Sequence, residues 1–457
     1  MQASHHQVSA SATPSHQRSR RLWVLGAVAT LAAASCSSST TSSPTTAAPP
    51  TTASASPTTA GSTDTTVAAT VPSSPSSAFP DLKPPTGDQM VIGLVNSEGG
   101  VAGLDFPDIR IAVEASVDYL NQHGGMGGRP IKLESCAAKG SPETSQACAQ
   151  ELIGKKVDLV LLGLDLFPDY AAYSAAKIPV IGVLPILPGD YTAKALFLTG
   201  GNATTFGAAA AAAKDHFKSK LVGIVSADNV GANASEATLS AALDLAGIAH
   251  KTVKGGDNMT DAEYQGLVRQ IDTFHPDLIM SLYADAGCIG MMRGRASLGI
   301  TTPVLTTSIC SGKTVLDAAG ETALGWTFIG AATQENTPEL LIVQAVMAKA
   351  LKLAPEKVDP TALGLGGLGM IETLSLAEYA DIMQAAGTAV TGASLYSFLA
   401  SAKDLSIWPN GAKIECGASP KYPSICSYTF PFAEYTAGGK VVTVKGLEAV
   451  SAKDFLP

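Results

Sequence analysis

Short, near-continuous apolar runs alternate with amphipathic stretches along most of this chain, and the alternation is gone through twice. In the first round Met90 to Val95, Pro130 to Ser135, Asp158 to Gly163 and Pro179 to Val183 read as strands; in the second, Lys220 to Ser226, Asp277 to Tyr283 and Pro303 to Thr307 do. Between them, Phe106 to Gln122 carries Ile109, Ala112, Val113, Ser116, Val117 and Leu120 at helical spacing. Glu143 to Gly154, Phe206 to Phe217, Ala232 to Gly247 and Asp261 to Phe274 are amphipathic in the same way. Strands apolar on both faces and separated by helices imply parallel sheets covered on both sides. The expected fold is therefore α/β, built as two similar Rossmann-like lobes. The Ala208 to Ala213 run reads as part of a helix capped by Thr204 or Thr205.

The 457 residues exceed one typical core, which agrees with two lobes, and 46% hydrophobic residues supply enough material to bury. Not all of the length is available for folding. Arg18, Arg20 and Arg21 precede an apolar stretch from Leu22 to Ala34, and the small residues Ala33, Ala34 and Ser35 lead directly into Cys36. This is the layout of an export signal, too short for a membrane span. It resembles a bacterial lipoprotein signal, in which the cysteine thiol takes a diacylglycerol and becomes the new N-terminus. Here Ala33 stands where that family usually has Leu. An ordinary cleaved signal with an incidental cysteine is the alternative, and Ser19 to Trp23 also resembles a twin-arginine signal, so the export route stays open. Residues from 37 to 80 are Ser, Thr, Ala and Pro with almost no large apolar side chains, and cannot offset their own ordering entropy. They read as a linker, with an r.m.s. span of roughly 35 to 40 Å if flexible. Residues 1–35 are thus expected to be signal, and 36–85 anchor and linker.

A net charge of −9 argues against a nucleic-acid partner and against general adhesion to anionic lipid. Setting Cys36 aside leaves Cys136, Cys148, Cys288, Cys310, Cys416 and Cys426, an even set in an exported chain, which suggests disulfides. Proximity along the chain favours Cys136 with Cys148, Cys288 with Cys310, and Cys416 with Cys426. No CxxC or HxxxH spacing supports a metal site.

Catalytic signals fail on inspection. Gly364 to Gly369 matches GxGxxG but follows Asp359-Pro360-Thr361 rather than a strand, and reads instead as the opening of a helix through Met370 to Ala385. Ser311 to Thr314 imitates the end of a phosphate loop, yet Thr307 occupies the required glycine position. His123, His216, His250 and His275 fall near helix ends or strand entries. No Ser/His/Asp arrangement and no GxSxG occurs, so no enzyme activity and no cofactor are expected.

In open parallel sheets, ligands meet the loops at the carboxyl ends of strands. That rule selects Ser97, Gly99, Gly100, Asp165, Phe167 and Leu184 in the first half, and Asp228, Asn229, Tyr283, Asp285, Thr307 and Ser308 in the second. The ligand contacts expected from these loops are Ser97, Gly99, Asp165, Phe167, Asn229, Tyr283, Asp285 and Thr307. Asp285 either balances a ligand ammonium or caps the helix that follows it. Asp165 either caps a helix beginning near Pro168 or faces a ligand that is not a plain α-amino acid.

Several segments carry a family resemblance. Asn121-Gln-His-Gly124-Gly125-Met-Gly127-Gly128-Arg129-Pro-Ile131 resembles the glycine turn of type I periplasmic binding proteins of the branched-chain amino acid (Leu/Ile/Val) group, where glycines end the first helix in left-handed geometry. Asp261 to Tyr264, His275 to Ile279, Arg295 to Gly299, and Phe430 to Tyr435 with Gly438 to Lys440 resemble later family segments in the same order. The resemblance covers Asp88 to the C-terminus. It implies two lobes, 86–199 with 332–430 and 200–331 with 431–457, joined by three crossings near Leu198 to Asn202, Phe328 to Thr333 and Tyr428 to Ala433. It also implies a monomer that closes on a small polar solute, amino-acid-like or amide, and presents it to an ABC permease. An aromatic followed by an acid, as in Tyr283 and Asp285, matches the family's ammonium site in type. Leu164 to Phe167 departs from the Ser and Thr hydroxyls that hold a carboxylate in similar proteins. A ligand-sensing lipoprotein that signals without transport is the alternative function.

Overall fold

In the computed structural model, residues 84–100, 105–331, 338–358, 364–408 and 413–457 are described. The signal, Cys36 and the linker through residue 83 lie outside the described residues. The chain runs β1 (Met90–Asn96), α1 (Pro107–Leu120), β2 (Ile131–Ala137), α2 (Pro142–Gly154), β3 (Leu159–Leu162), α3 (Tyr170–Ala175), β4 (Val180–Gly182) and β5 (Leu196–Phe197). It continues through α4 (Gly201–Asp215), β6 (Leu221–Ala227), α5 (Val230–Ala246), β7 (Ala249–Gly255), α6 (Asp261–Asp272), β8 (Leu278–Leu282), α7 (Asp285–Ser297), β9 (Val304–Thr307), α8 (Lys313–Ala319) and β10 (Trp326–Ile329). Then come α9 (Pro338–Leu351), α10 (Gly364–Ala385), α11 (Gly392–Ser401), β11 (Leu405–Ser406), β12 (Lys413–Ile414), β13 (Thr429–Phe430), β14 (Phe432–Thr436), β15 (Lys440–Thr443) and β16 (Val450–Ser451).

The first sheet is parallel throughout, in the order β2-β1-β3-β4-β5. The second has the order β15-β14-β10-β9-β8-β6-β7, parallel from β7 to β10 and finished by the antiparallel pair β14 and β15. Without that pair the two orders are the same. In each sheet the chain steps from the first strand to one edge and then returns to its other side, so a crevice opens at the carboxyl ends of β1 and β3 and again at those of β6 and β8. Strands β3 and β8 are buried along their whole length, as both-face coverage requires.

Helices α1, α9, α10 and α11 share one apolar core on the first sheet, around Ile109, Val113, Val343, Leu374, Tyr379 and Leu395. A second core continues from the opposite face of that sheet through Phe197, Phe206 and Tyr428 to Val222, Ile224 and Leu278 of the second sheet. The third, beneath α6 to α8, centres on Ile271, Met292 and Trp326. The alanine run belongs to the second core. Ala208, Ala210 and Ala213 are fully buried, and α4 begins earlier than its threonines suggest. Gly200 holds the cap position, and Thr205 lies inside the helix, its Oγ1 donating to Gly201 O at 2.8 Å. The expected cap at Thr204 or Thr205 is thus corrected: burial of the apolar face carries the helix back to the glycine pair.

The glycine turn after α1 has the expected geometry, with φ of 102°, 76°, 58° and 79° at Gly124, Gly125, Gly127 and Gly128. Arg129 straps it down, donating to the carbonyls of Asp88, Gln89 and Val390. Disulfides join Cys136 to Cys148, Cys288 to Cys310 and Cys416 to Cys426. The chain passes between the sheets three times, after β5, after β10 and before β14. These passages touch: Phe197 N donates to Ser424 O at 2.7 Å, Cys426 N to Phe197 O at 2.9 Å, and Gly330 N to Pro431 O at 2.8 Å. Residues 332–337 of the second passage lie outside the described residues.

Candidate functional site

At the end of β1, Asn96 is 1% exposed and organises the first crevice. Its Oδ1 accepts from Leu164 N at 3.0 Å, while its Nδ2 donates to Phe106 O at 2.7 Å and to Glu98 at 3.0 Å. The loops after β1 and β3 and the start of α1 are thereby tied together. Gly163 leaves the room for this amide, because a Cβ there would lie 2.6 Å from Asn96 Oδ1. Ser97 is next, with its backbone engaged to Leu164 O and Phe106 N, and its Oγ fully buried without a hydrogen-bond partner among the described residues. Gly99 has φ of 63° and donates its N–H to Asp105.

Asp165 is 2% exposed. Its Oδ1 accepts from Ser145 Oγ at 2.6 Å and from Phe167 N at 3.0 Å. Burial raises its acid dissociation above the ordinary carboxylate value, the two hydrogen bonds oppose this, and the Asp190 charge adds to the rise. The helix near Pro168 begins at Tyr170 and is capped by Asp169, which accepts from Ala172 N, so Asp165 does not cap it. Asp190 fixes the loop after β4 by accepting from Ile186 N, Leu187 N and Tyr170 OH. Phe167 and Leu187 stand out of these loops, 40% and 38% exposed.

Beside the second sheet Asn229 caps α5, with Oδ1 accepting from Ala232 N at 2.8 Å and Nδ2 donating to Asp257. Tyr283 does not stand free in the crevice. It is 4% exposed and packs edge-on to Tyr264, with ring centroids 5.6 Å apart, in space left by Gly287. Its hydroxyl is buried without a partner, and burial pushes its dissociation well above the ordinary tyrosine value. Ala284 holds the cap position of α7 and Asp285 is the first helical residue, which corrects the reading of Asp285 as cap. The Asp285 side chain lies outside the described residues. Thr307 closes β9 half-buried, and Ile309 beyond it is 54% exposed. The Cys288–Cys310 bond pins this loop onto α7.

The structure thus gathers Ser97, Gly99, Asp165 and Phe167 at one set of strand ends, and Asn229, Tyr283, Asp285 and Thr307 at the other. Leu187 and Ile309 were missed because exposure on a loop leaves no periodic trace. Asp190 and Asp257 were missed for want of any local motif. An open depression lined by Ile153, Lys156, Ile178, Pro179 and Thr391 lies at the amino ends of β3 and β4, the wrong end of the sheet for a ligand by the strand-end rule. Among the described residues no group of His, Cys, Asp and Glu is placed to hold a metal ion.

Comparison with known proteins agrees with this architecture. A family model described as periplasmic binding protein matches residues 89–415, well over half of the chain. No curated protein matches. Among solved structures, an ABC transporter substrate-binding protein from Sphaerobacter thermophilus is similar at 18% identity and TM-score 0.59, over 80% of this chain and 99% of that one. A solute-binding protein of an ABC transporter from R. palustris, in complex with 4-hydroxybenzoate, is similar at 17% identity and TM-score 0.53, over 80% and 98%. A periplasmic binding protein type 1 from Bordetella pertussis Tohama I is similar at 18% identity and TM-score 0.51, over 78% and 100%. With the doubled strand order, the strand-end loops and the family match together, this chain belongs to the periplasmic binding protein family and has its type I fold.

Proposed function

We propose that the protein is an exported, lipid-anchored solute-binding protein that captures a small polar molecule between two lobes and delivers it to an ABC importer. The observation that carries this reading is the repeated strand order, which sets one crevice of loops at the end of each sheet. The lobes would be 86–199 with 332–430 and 200–331 with 431–457. The three passages, hydrogen-bonded side by side, would be the hinge. Gly201 and Gly330 have φ of 60° and 80°, backbone that other residues rarely adopt, where bending would concentrate. The similar solved proteins named for ABC transport support delivery to a permease that recognises the closed form.

The anchor rests on the leader and Cys36. Cys36→Ser in the full chain should abolish palmitate labelling and release the protein from the membrane fraction of a lipoprotein-processing host. Ligand capture is tested by thermal-shift screening of amino acids, amides, amines and polyols, because a specific ligand stabilises the fold by mass action. Asp285→Ala should then weaken the best ligand more than tenfold by calorimetry. Unchanged affinity would remove Asp285 from the site.

A further inference from the structure

We infer that the crevice takes a neutral or cationic solute with an apolar body and excludes carboxylates; this rests on the reading of the strand-end loops as the ligand site. The first ground is charge. Among the described residues, the loops that follow strands β1 to β10 carry Glu98, Asp105, Asp165, Asp169, Asp190, Asp228 and Asp257, against two cations, Lys139 on the loop of edge strand β2 and Lys194 two residues before β5. The segments outside the described residues do not alter this, since 101–104, 332–337, 359–363 and 409–412 contain no Lys or Arg. Arg110, in the first turn of α1, is already shared between Glu98 and Glu114. Lys313, at the start of α8, is paired with Asp317. Glu98 is therefore neutralised, but the six aspartates are in no ion pair among the described residues; each accepts only neutral donors.

The second ground is that three of the helix starts that follow strands, those of α1, α5 and α7, already carry acids. A ligand carboxylate in a crevice so short of cations would depend on N-terminal N–H groups and the helix dipole. Asp108 occupies the first turn of α1, Asp228 lies just before the cap of α5, and Asp285 is the first residue of α7. Acids at these positions satisfy the positive potential that a carboxylate would need.

The third ground is the apolar surface. Phe167 and Leu187 on the first lobe and Ile309 on the second are large apolar side chains exposed on strand-end loops. A solute with an apolar body would cover them as it binds. The Ser97 Oγ, buried and without a partner, needs one neutral donor or acceptor rather than a charge. The aromatic acid bound by the similar R. palustris protein has the right body and, by this argument, the wrong head.

The test uses matched heads on shared bodies: benzoate, benzamide and benzylamine, then leucine and leucinamide, by calorimetry on the folded mature protein. The amide or amine of each set should bind at least tenfold more tightly than its carboxylate. Phe167→Ser and Ile309→Ser, both surface changes, should each weaken the better binder at least fivefold without lowering the melting temperature. A carboxylate binding as tightly as its amide overturns the inference and leaves solute capture standing. Silence from all five probes also overturns it, and silence across a wide library of importer solutes would remove the binding reading as well.

Discussion

Glu372 lies in the middle of α10 with no exposure, and neither of its carboxylate oxygens has a hydrogen-bond partner among the described residues. Burial holds its dissociation well above the ordinary glutamate value. Two turns further along, burial and the charges of Glu339 and Asp381 push Glu378 up to about 7, and burial pushes Asp381 up to about 6 against the bond from Gly127 N. All three are raised acids, so the folded state holds protons that the unfolded state gives up. Their contribution is fully present below the ordinary carboxylate value and is lost as pH rises through the folded values. Each such group removes about 1.4 kcal/mol per pH unit across its window. The protein should therefore melt at a higher temperature at pH 5 than at pH 8. Glu372→Gln should raise the melting temperature at pH 8 and change it little at pH 5, and a flat profile in the parent protein would refute the account. Ser97 permits a parallel test. Its unpartnered hydroxyl costs about 1 kcal/mol or more in the empty protein. Ser97→Ala should leave unfolding in urea unchanged or slightly harder, yet weaken ligand about fivefold if the ligand supplies the missing partner.

At the scale of elements, periodicity located β1 to β4, β6, β8 and β9 and missed β5, β7 and the fully buried β10, which lies where a crossing was expected. Strand β7 is an edge strand in which only Val253 is buried and Lys251 and Lys254, on opposite faces, are both exposed, so no apolar run announces it. Strand β5 has two residues and is held by Ser424 and Cys426 from far along the chain, a partnership that no window of sequence contains. The glycine turn was legible because its chemistry is local. A Cβ on Gly125 would lie 2.1 Å from Arg129 O, and its φ is 76°. Gly125→Ala should cost about 2 kcal/mol or more, read as a lowered urea midpoint with an unchanged slope. The disulfides were legible from spacing, but their purpose was not. Cys288–Cys310 ties the start of α7 to the loop that carries Ile309, so it fixes one wall of the crevice. Replacing both cysteines with serine should cost about 3 kcal/mol. If the wall matters, ligand should also dissociate faster.

For the whole molecule, the strand-end rule selected loops that the structure gathers at the strand ends, but could not tell which side chains on them are free. Asn229 spends both ends of its amide on α5 and Asp257, and Tyr283 turns back beneath α7 against Tyr264. Both facts depend on packing between elements, as does the orphaned hydroxyl of Ser97. The same holds for the passages between lobes, whose meaning lies in their contact. Gly200 stands where the first passage touches the third: a Cβ there would lie 1.6 Å from Thr204 Oγ1 and 2.6 Å from Ser427 O. Any side chain must push these two passages apart. Gly200 has φ of −102°, which other residues adopt freely, so the effect would be one of space rather than backbone strain. If the passages bend together as a hinge, Gly200→Val should hamper closure while both sheets, whose strands lie elsewhere, stay folded. Small-angle scattering should show the parent protein contracting when ligand is added and the variant contracting less, with affinity reduced and circular dichroism unchanged. Full contraction and parent-like affinity in the variant would place the bending outside these three passages.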